Sequence, residues 1–105
     1  MNKFSDILAT LDNSDHVQRI VLSYPDGHPA GMIESKPGSQ GSIKVYHHLY
    51  KKFGTLGVQA AEQGLALYAE HVQDAVDHPG KHPNIDRLLA VVADNTVLSI
   101  EIQTV

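Results

Sequence analysis

The sequence predicts a small α+β domain, in which an antiparallel sheet is covered on one face by about four helices. Two observations support this class: strand-like alternation of apolar residues near the start and again at the end, and helical periodicity between them. A chain of 105 residues can bury one hydrophobic core but hardly two, so we expect residues 1–105 to form a single globular domain. The predicted order of elements is α-β-β-α-α-α-β.

The first part of the chain is predicted to hold a short helix and a β-hairpin. Apolar residues from Phe4 to Leu11 recur at helical spacing. Residues 16–24, HVQRIVLSY, are rich in β-branched side chains and alternate in the way typical of a strand. The PDGHP segment that follows favours a tight turn, so residues 30–35, AGMIES, are expected to return as the second strand.

The next element is predicted to be a helix from about Ser42 to Phe53. Its apolar residues fall three and four positions apart, and the glycine after Phe53 suits a helix end. A strand over residues 42–49 stays open as an alternative, because Ile43 and Val45 also alternate and both favour strands.

Two further helices and a closing strand complete the prediction. From about Gly57 to Asp77, apolar residues at three- and four-residue steps predict one long helix, in which Gly64 either permits a close approach or marks a break. Asn84 is well placed to cap the last helix. Residues 96–105, TVLSIEIQTV, alternate as a strand that can pair with the early hairpin.

Composition excludes several classes of function. The chain has no cysteine, which excludes disulfides, thiolate metal sites and cysteine nucleophiles. The net charge is −4 and the eight basic residues are scattered, so we expect no nucleic-acid partner. The start does not resemble a signal peptide and no run of about 18 apolar residues occurs, so we expect a cytoplasmic protein without a membrane partner. Seven histidines make the chain histidine-rich, but exposed histidines titrate in any protein, and we infer no pH sensor from the number.

The glycine-rich segment before the second predicted helix is a candidate anion-binding loop. Its backbone amides and the positive end of the helix dipole favour an anion, and the candidate residues are Lys36, Gly38, Ser39, Gly41 and Ser42. The spacing matches neither GxxxxGK[ST] nor GxGxxG. In the simpler interpretation, which we favour, the glycines only turn the chain and Ser42 caps the helix.

The adjacent histidines of that helix are not expected to act together. Neighbouring residues on a helix point about 100° apart, so His47 is predicted to be partly buried and hydrogen-bonded, and His48 to face solvent. Neither histidine has a local serine and carboxylate in the arrangement of a hydrolase, so we predict no catalytic residue.

The second candidate site is a set of possible metal ligands in the 70–86 segment. His71, Asp74 and His78 stand at i, i+3 and i+7, and His82 follows four residues later, a mixed nitrogen and oxygen set that suits Zn²⁺, Ni²⁺ or Cu²⁺. The alternative, which we favour, places His78 and His82 in a turn, because each precedes a proline and is biased towards extended backbone. No cofactor is therefore predicted.

Two segments, ESKPGSQGSIKVYHHLY at 34–50 and HPGKHPNIDRLL at 78–89, resemble a family of short bacterial proteins of about this length and of unknown function. The resemblance covers most of the chain. It implies a small, cytoplasmic bacterial protein, and it carries no catalytic residue and no ligand.

Three functions remain open on the sequence alone. The leading hypothesis is a non-enzymatic module that binds an unknown protein partner or its own copy. The alternatives are binding of a small anion or phosphometabolite at the 36–42 loop, and a histidine-based transition-metal site at 71–82.

Overall fold

The computed structural model describes residues 3–105, which form an antiparallel four-stranded sheet packed against five helices. The helices are α1 (Phe4–Leu8), α2 (Gln40–Phe53), α3 (Val58–Tyr68), α4 (His71–Asp77) and α5 (Pro83–Asp94). The strands are β1 (Val17–Ser23), β2 (Pro29–Glu34), β3 (Thr55–Leu56) and β4 (Leu98–Thr104). The α+β class and the predicted order of the main elements are confirmed.

The sheet has the strand order β2-β1-β4-β3, and its two long pairings involve β1. Ile20 of β1 lies opposite Ile33 of β2 and Ile102 of β4, on the face that the helices cover. Val21, the next residue, faces the other way and lies opposite Met32 of β2 and Glu101 of β4. The alternation read from the sequence therefore separates a buried face from an open one.

Strand β3 is an element that the sequence reasoning did not predict. It consists of Thr55 and Leu56, which pair with Ser99 and Leu98 at the edge of the sheet. Two residues are too few to produce an alternating pattern, so no periodicity signals this strand.

The segment between the glycine loop and β3 is helical, and the strand alternative for residues 42–49 is wrong. Helix α2 buries Ile43, Tyr46 and Leu49, which recur every three residues as one helical face requires. It begins at Gln40, two residues before the predicted start.

The single helix predicted from Gly57 to Asp77 is instead two helices. Helix α3 ends at Tyr68, Ala69 takes φ +54° and ψ −120°, and α4 begins at His71. The apolar spacing continues across this break, and alanine is a strong helix former, so nothing in the pattern marks it. Gly64 does not break the helix.

Gly64 instead permits a close approach between helices, one of the two roles predicted for it. A Cβ atom built there would lie 2.8 Å from Leu88 Cδ1 of α5 and 3.0 Å from Leu49 Cδ1 of α2. Helices α2, α3 and α5 thus meet at this glycine over the buried face of the sheet.

The boundaries of the first and last helices also differ from the prediction. Helix α1 ends at Leu8, before the last residue of its apolar pattern, Leu11. Helix α5 begins at Pro83, so its N-cap is His82 and not Asn84. Proline suits the first helical position because the missing N–H has no partner there.

Candidate functional site

A cavity of about 440 Å³ opens beside the first turn of α2. Its lining comes from α1, the start of α2, the end of α3, the start of α4 and the turn that enters α5. The glycine loop and the histidine segment, which the sequence presented as two separate candidate sites, therefore contribute to one cavity.

One side of the cavity is the N-terminus of α2, where Gln40, Gly41 and Ser42 are among the lining residues. The N–H groups of the first helical turn have no acceptor within the helix and carry a partial positive charge. Ser39 is the N-cap residue, but its side chain makes no capping hydrogen bond. Its hydroxyl donates to the carbonyl of Glu34 and so holds the preceding loop in place.

The hydroxyl of Ser42 belongs to a partly buried hydrogen bond beside the cavity. Tyr68 Oη donates to Ser42 Oγ over 2.6 Å, and the side chain of Tyr68 is buried. Burial raises the pKa of Tyr68, so the phenol stays protonated and continues to donate. Because Ser42 accepts from Tyr68, its own hydrogen is left to donate elsewhere.

The opposite side of the cavity is organised by Asp74 of α4. Its Oδ2 lies 2.6 Å from His82 Nε2 and 3.0 Å from Lys81 Nζ, and both of these partners line the cavity. The pKa of Asp74 is lowered to about 2, mostly by the hydrogen bond from His82 and to a smaller extent by the hydrogen bond from Lys81. Asp74 is therefore ionised at neutral pH, and it holds the lysine and the imidazole beside the cavity.

The turn that carries Lys81 and His82 is fixed at both of its ends. The N–H of Gly80, which has φ +92°, donates over 2.9 Å to Asp86 Oδ2 in the first turn of α5. Buried Tyr46 donates over 2.5 Å to the carbonyl of Asn84, and burial raises the pKa of Tyr46 to about 12. A neutral phenol thus ties the start of α5 to α2.

Helix α1 closes the third side, although none of its residues is fully buried. The Phe4 ring stacks on Tyr68 with the ring centroids 5.1 Å apart, and the Phe4 N–H donates over 2.7 Å to Glu70 Oε1. This hydrogen bond lowers the pKa of Glu70. A Cβ atom at Gly41 would lie 3.1 Å from the Phe4 ring, so a side chain there would push α1 away from α2 by a few tenths of an ångström.

Three of the five predicted anion-binding residues, Gly38, Gly41 and Ser42, line the cavity. Ser39, the N-cap residue of α2, is not part of the lining. Lys36 is outside the lining, and its Nζ lies 3.7 Å from Glu34 Oε2 on the surface.

The predicted metal ligands are only partly brought together. His71 and His82 line the cavity, with ring centroids 6.0 Å apart, and Asp74 contacts His82. His78 Nε2 lies 3.8 Å from Asp74 Oδ1, beyond hydrogen-bonding distance. Within residues 3–105, no group of three or more His, Cys, Asp or Glu residues is arranged to hold a metal ion.

Sequence reasoning missed Phe4, Tyr68 and Lys81 as residues of the site. Phe4 and Tyr68 fit the apolar faces of their helices, a pattern that indicates core packing and not a binding site. Lys81 offered one signal, its position next to His82 in a turn, but its pairing with Asp74 depends on the α4–α5 geometry.

A family model described as "Uncharacterized protein conserved in bacteria (DUF2322)" matches residues 4–102. The match confirms the resemblance to a family of short bacterial proteins that the 34–50 and 78–89 segments indicated. No curated protein and no solved structure matches the chain. In the described part of the chain, none of the helices is both long enough and apolar enough to cross a membrane.

Proposed function

The chain belongs to this bacterial family, and we propose that it binds small molecules bearing an anionic group, such as a phosphate, in the cavity beside α2. One observation carries the proposal: the described residues that line the cavity supply a lysine and several hydrogen-bond donors but no carboxylate, although the chain as a whole is acidic. The net charge of the protein is −4, yet among residues 3–105 the lining includes Lys81 and no Asp or Glu. The carboxylate of Asp74 contacts Lys81 and His82 but is not itself part of the lining.

The donors lie on two sides of the cavity and are held in place before any ligand arrives. Gln40, Gly41 and Ser42 of the first turn of α2 line one side, and Lys81 lines the other. The position of Lys81 is set by its ion pair with Asp74, which also holds His82. Donors positioned in this way lose little conformational entropy when an anion binds.

Removing the charge of Lys81 tests the proposal. A hydrogen bond to a charged group contributes about 1.5–3 kcal/mol, so we expect Lys81→Met to weaken the binding of inorganic phosphate by at least about tenfold. Affinity is measured by isothermal titration calorimetry, at constant ionic strength because surface charge interactions are screened by salt.

Lys52→Met is the matched control, because it removes the same charge from the last turn of α2, at the opposite end of this 14-residue helix. We expect the control to bind phosphate within about twofold of the unaltered protein, since the two ends of α2 are about 20 Å apart. Equal losses of phosphate affinity in the two variants would mean that binding depends only on the overall charge of the protein, and the proposal would fail.

Binding of a protein partner or of a second copy is a second candidate, and one feature favours it. Strand β2 is an edge strand, and Met32 on its open face is 51% exposed beside Val21. An open edge with an exposed apolar residue offers backbone groups for pairing with another chain. The cavity supports anion binding more directly, because several residues that can donate hydrogen bonds line it.

A further inference from the structure

Four rings form a row along one wall of the cavity. The binding of an anion alone does not require these rings. Tyr68 and Phe4 stack with centroids 5.1 Å apart, and Phe4 meets the edge of His71 at 5.0 Å. The ring of His71 lies 6.0 Å from that of His82. All four residues line the cavity.

The row joins the two polar ends of the cavity. At one end, Tyr68 donates to Ser42 beside the first turn of α2, and at the other, His82 contacts Asp74, which also holds Lys81. A ligand that lies along the row keeps an anionic group within reach of the donors while its remaining surface contacts rings. The side chain of Phe4 is half-buried and joins the Tyr68 end to the histidine end.

The size of the cavity also exceeds what an inorganic anion needs. A volume of about 440 Å³ falls within the range of sites for small organic ligands. Aromatic side chains favour other rings, in stacked or edge-to-face arrangements, over saturated groups of similar size.

We propose that the natural ligand carries a planar aromatic or heteroaromatic ring next to its anionic group, and that this ring packs against the Tyr68–Phe4–His71–His82 row. This inference rests on the proposed anion site and adds the class of ligand. Aryl phosphates and aromatic carboxylates have the required combination of a flat ring and a terminal anion.

Four probes distinguish the contribution of the ring to the affinity from that of the anion. They are inorganic phosphate, phenyl phosphate, cyclohexyl phosphate and benzyl alcohol. We expect phenyl phosphate to bind about tenfold tighter than inorganic phosphate and several-fold tighter than cyclohexyl phosphate, because only the phenyl ring is flat. Benzyl alcohol, which lacks the anion, is expected to bind more weakly than phenyl phosphate. Each dissociation constant is measured by calorimetry on the 105-residue chain.

Phe4→Leu removes a ring from the middle of the row and keeps an apolar side chain. We expect this variant to lose the preference for phenyl over cyclohexyl phosphate, measured as the ratio of the two dissociation constants, in which any change in the binding of the phosphate group itself cancels. Phe53→Leu, at the far end of α2, is the control and should keep the preference. The comparison of probes on the unaltered protein does not depend on how either variant folds.

The outcomes distinguish the two proposals. Equal affinities for phenyl and cyclohexyl phosphate would overturn the aromatic class of ligand and leave the anion site standing. Binding of benzyl alcohol as tight as that of phenyl phosphate, or failure of all three phosphates to bind at millimolar concentration, would overturn both.

Discussion

His47 is the buried member of the adjacent histidine pair, with 7% of its surface exposed, and its ring meets the edge of the His16 ring at 5.0 Å. Burial lowers the pKa of His47, and the nearby charges of His16 and Lys51 lower it further, while Asp12 acts in the opposite direction. The helical geometry of α2 predicted that the two histidines differ, and His48 is indeed more exposed. The contact with His16 was not predictable, because it joins α2 to the segment before β1.

The lowered pKa of His47 predicts a loss of stability in mild acid. A histidine with a lower pKa in the folded state binds its proton more readily when unfolded, so unfolding becomes easier as the pH falls below the ordinary value of 6.5. This stabilising contribution is fully present above pH 6.5 and is lost as the pH falls through the folded pKa.

Thermal unfolding between about pH 7.5 and 5 measures this effect. We expect His47→Gln to reduce the drop in melting temperature over this range, whatever its effect at neutral pH. His48→Gln is the control and should leave the drop nearly unchanged. A drop of equal size in the unaltered protein and the His47 variant would show that other groups cause it.

The break between α3 and α4 is a feature of the secondary structure that the sequence pattern did not predict. Periodicity reports which residues are buried, and the burial pattern runs through Tyr68 and Ala75 on both sides of the break. A positive φ is normally signalled by glycine or asparagine, as at Gly54 and Asn95, which end α2 and α5. At the α3–α4 break the residue is Ala69, so the signal is missing.

The same observation predicts that Ala69→Gly stabilises the protein. Alanine is strained at φ +54° and ψ −120°, and such a conformation lowers the free energy of unfolding by about 1–3 kcal/mol. Glycine relieves this strain, but its greater conformational freedom in the unfolded chain cancels part of the gain. We expect a net gain of about 1 kcal/mol in the free energy of unfolding, measured by urea denaturation.

Asn95→Gly is the matched control, because Asn95 has φ +53° and ψ +43°, a conformation that asparagine tolerates. We expect this change to alter the free energy of unfolding by less than about 0.5 kcal/mol. A loss of stability in Ala69→Gly would contradict the assignment of strain to Ala69.

At the scale of the whole molecule, the fold class followed from the sequence, but the site followed only in part. The fold class and the order of the main elements can be predicted from local periodicity, because this periodicity does not depend on how the elements pack together. The cavity depends on long-range packing, since it brings α1 and the first turn of α2 against the α4–α5 turn. Both of its polar sides were singled out as candidates, at 36–42 and 71–82, yet nothing in their spacing indicated that they face each other.

Helix α1 shows why the aromatic wall could not be predicted. Its five residues read as a minor amphipathic segment, and its main tertiary contacts join Phe4 to Tyr68, His71 and Glu70. These residues are more than sixty positions from Phe4 in the sequence. Contacts between residues so far apart produce no periodic pattern in a single sequence.

The central claim, that the cavity is an anion-binding site, is tested most directly by titrating the ¹⁵N-labelled protein with inorganic phosphate and following each backbone amide by NMR. We predict saturable shifts at Gln40, Gly41 and Ser42, with smaller shifts at Lys81 and His82, and unmoved amides in the last turn of α2. Shifts that are absent at millimolar phosphate, or that fall on exposed lysines away from the cavity, would contradict the claim.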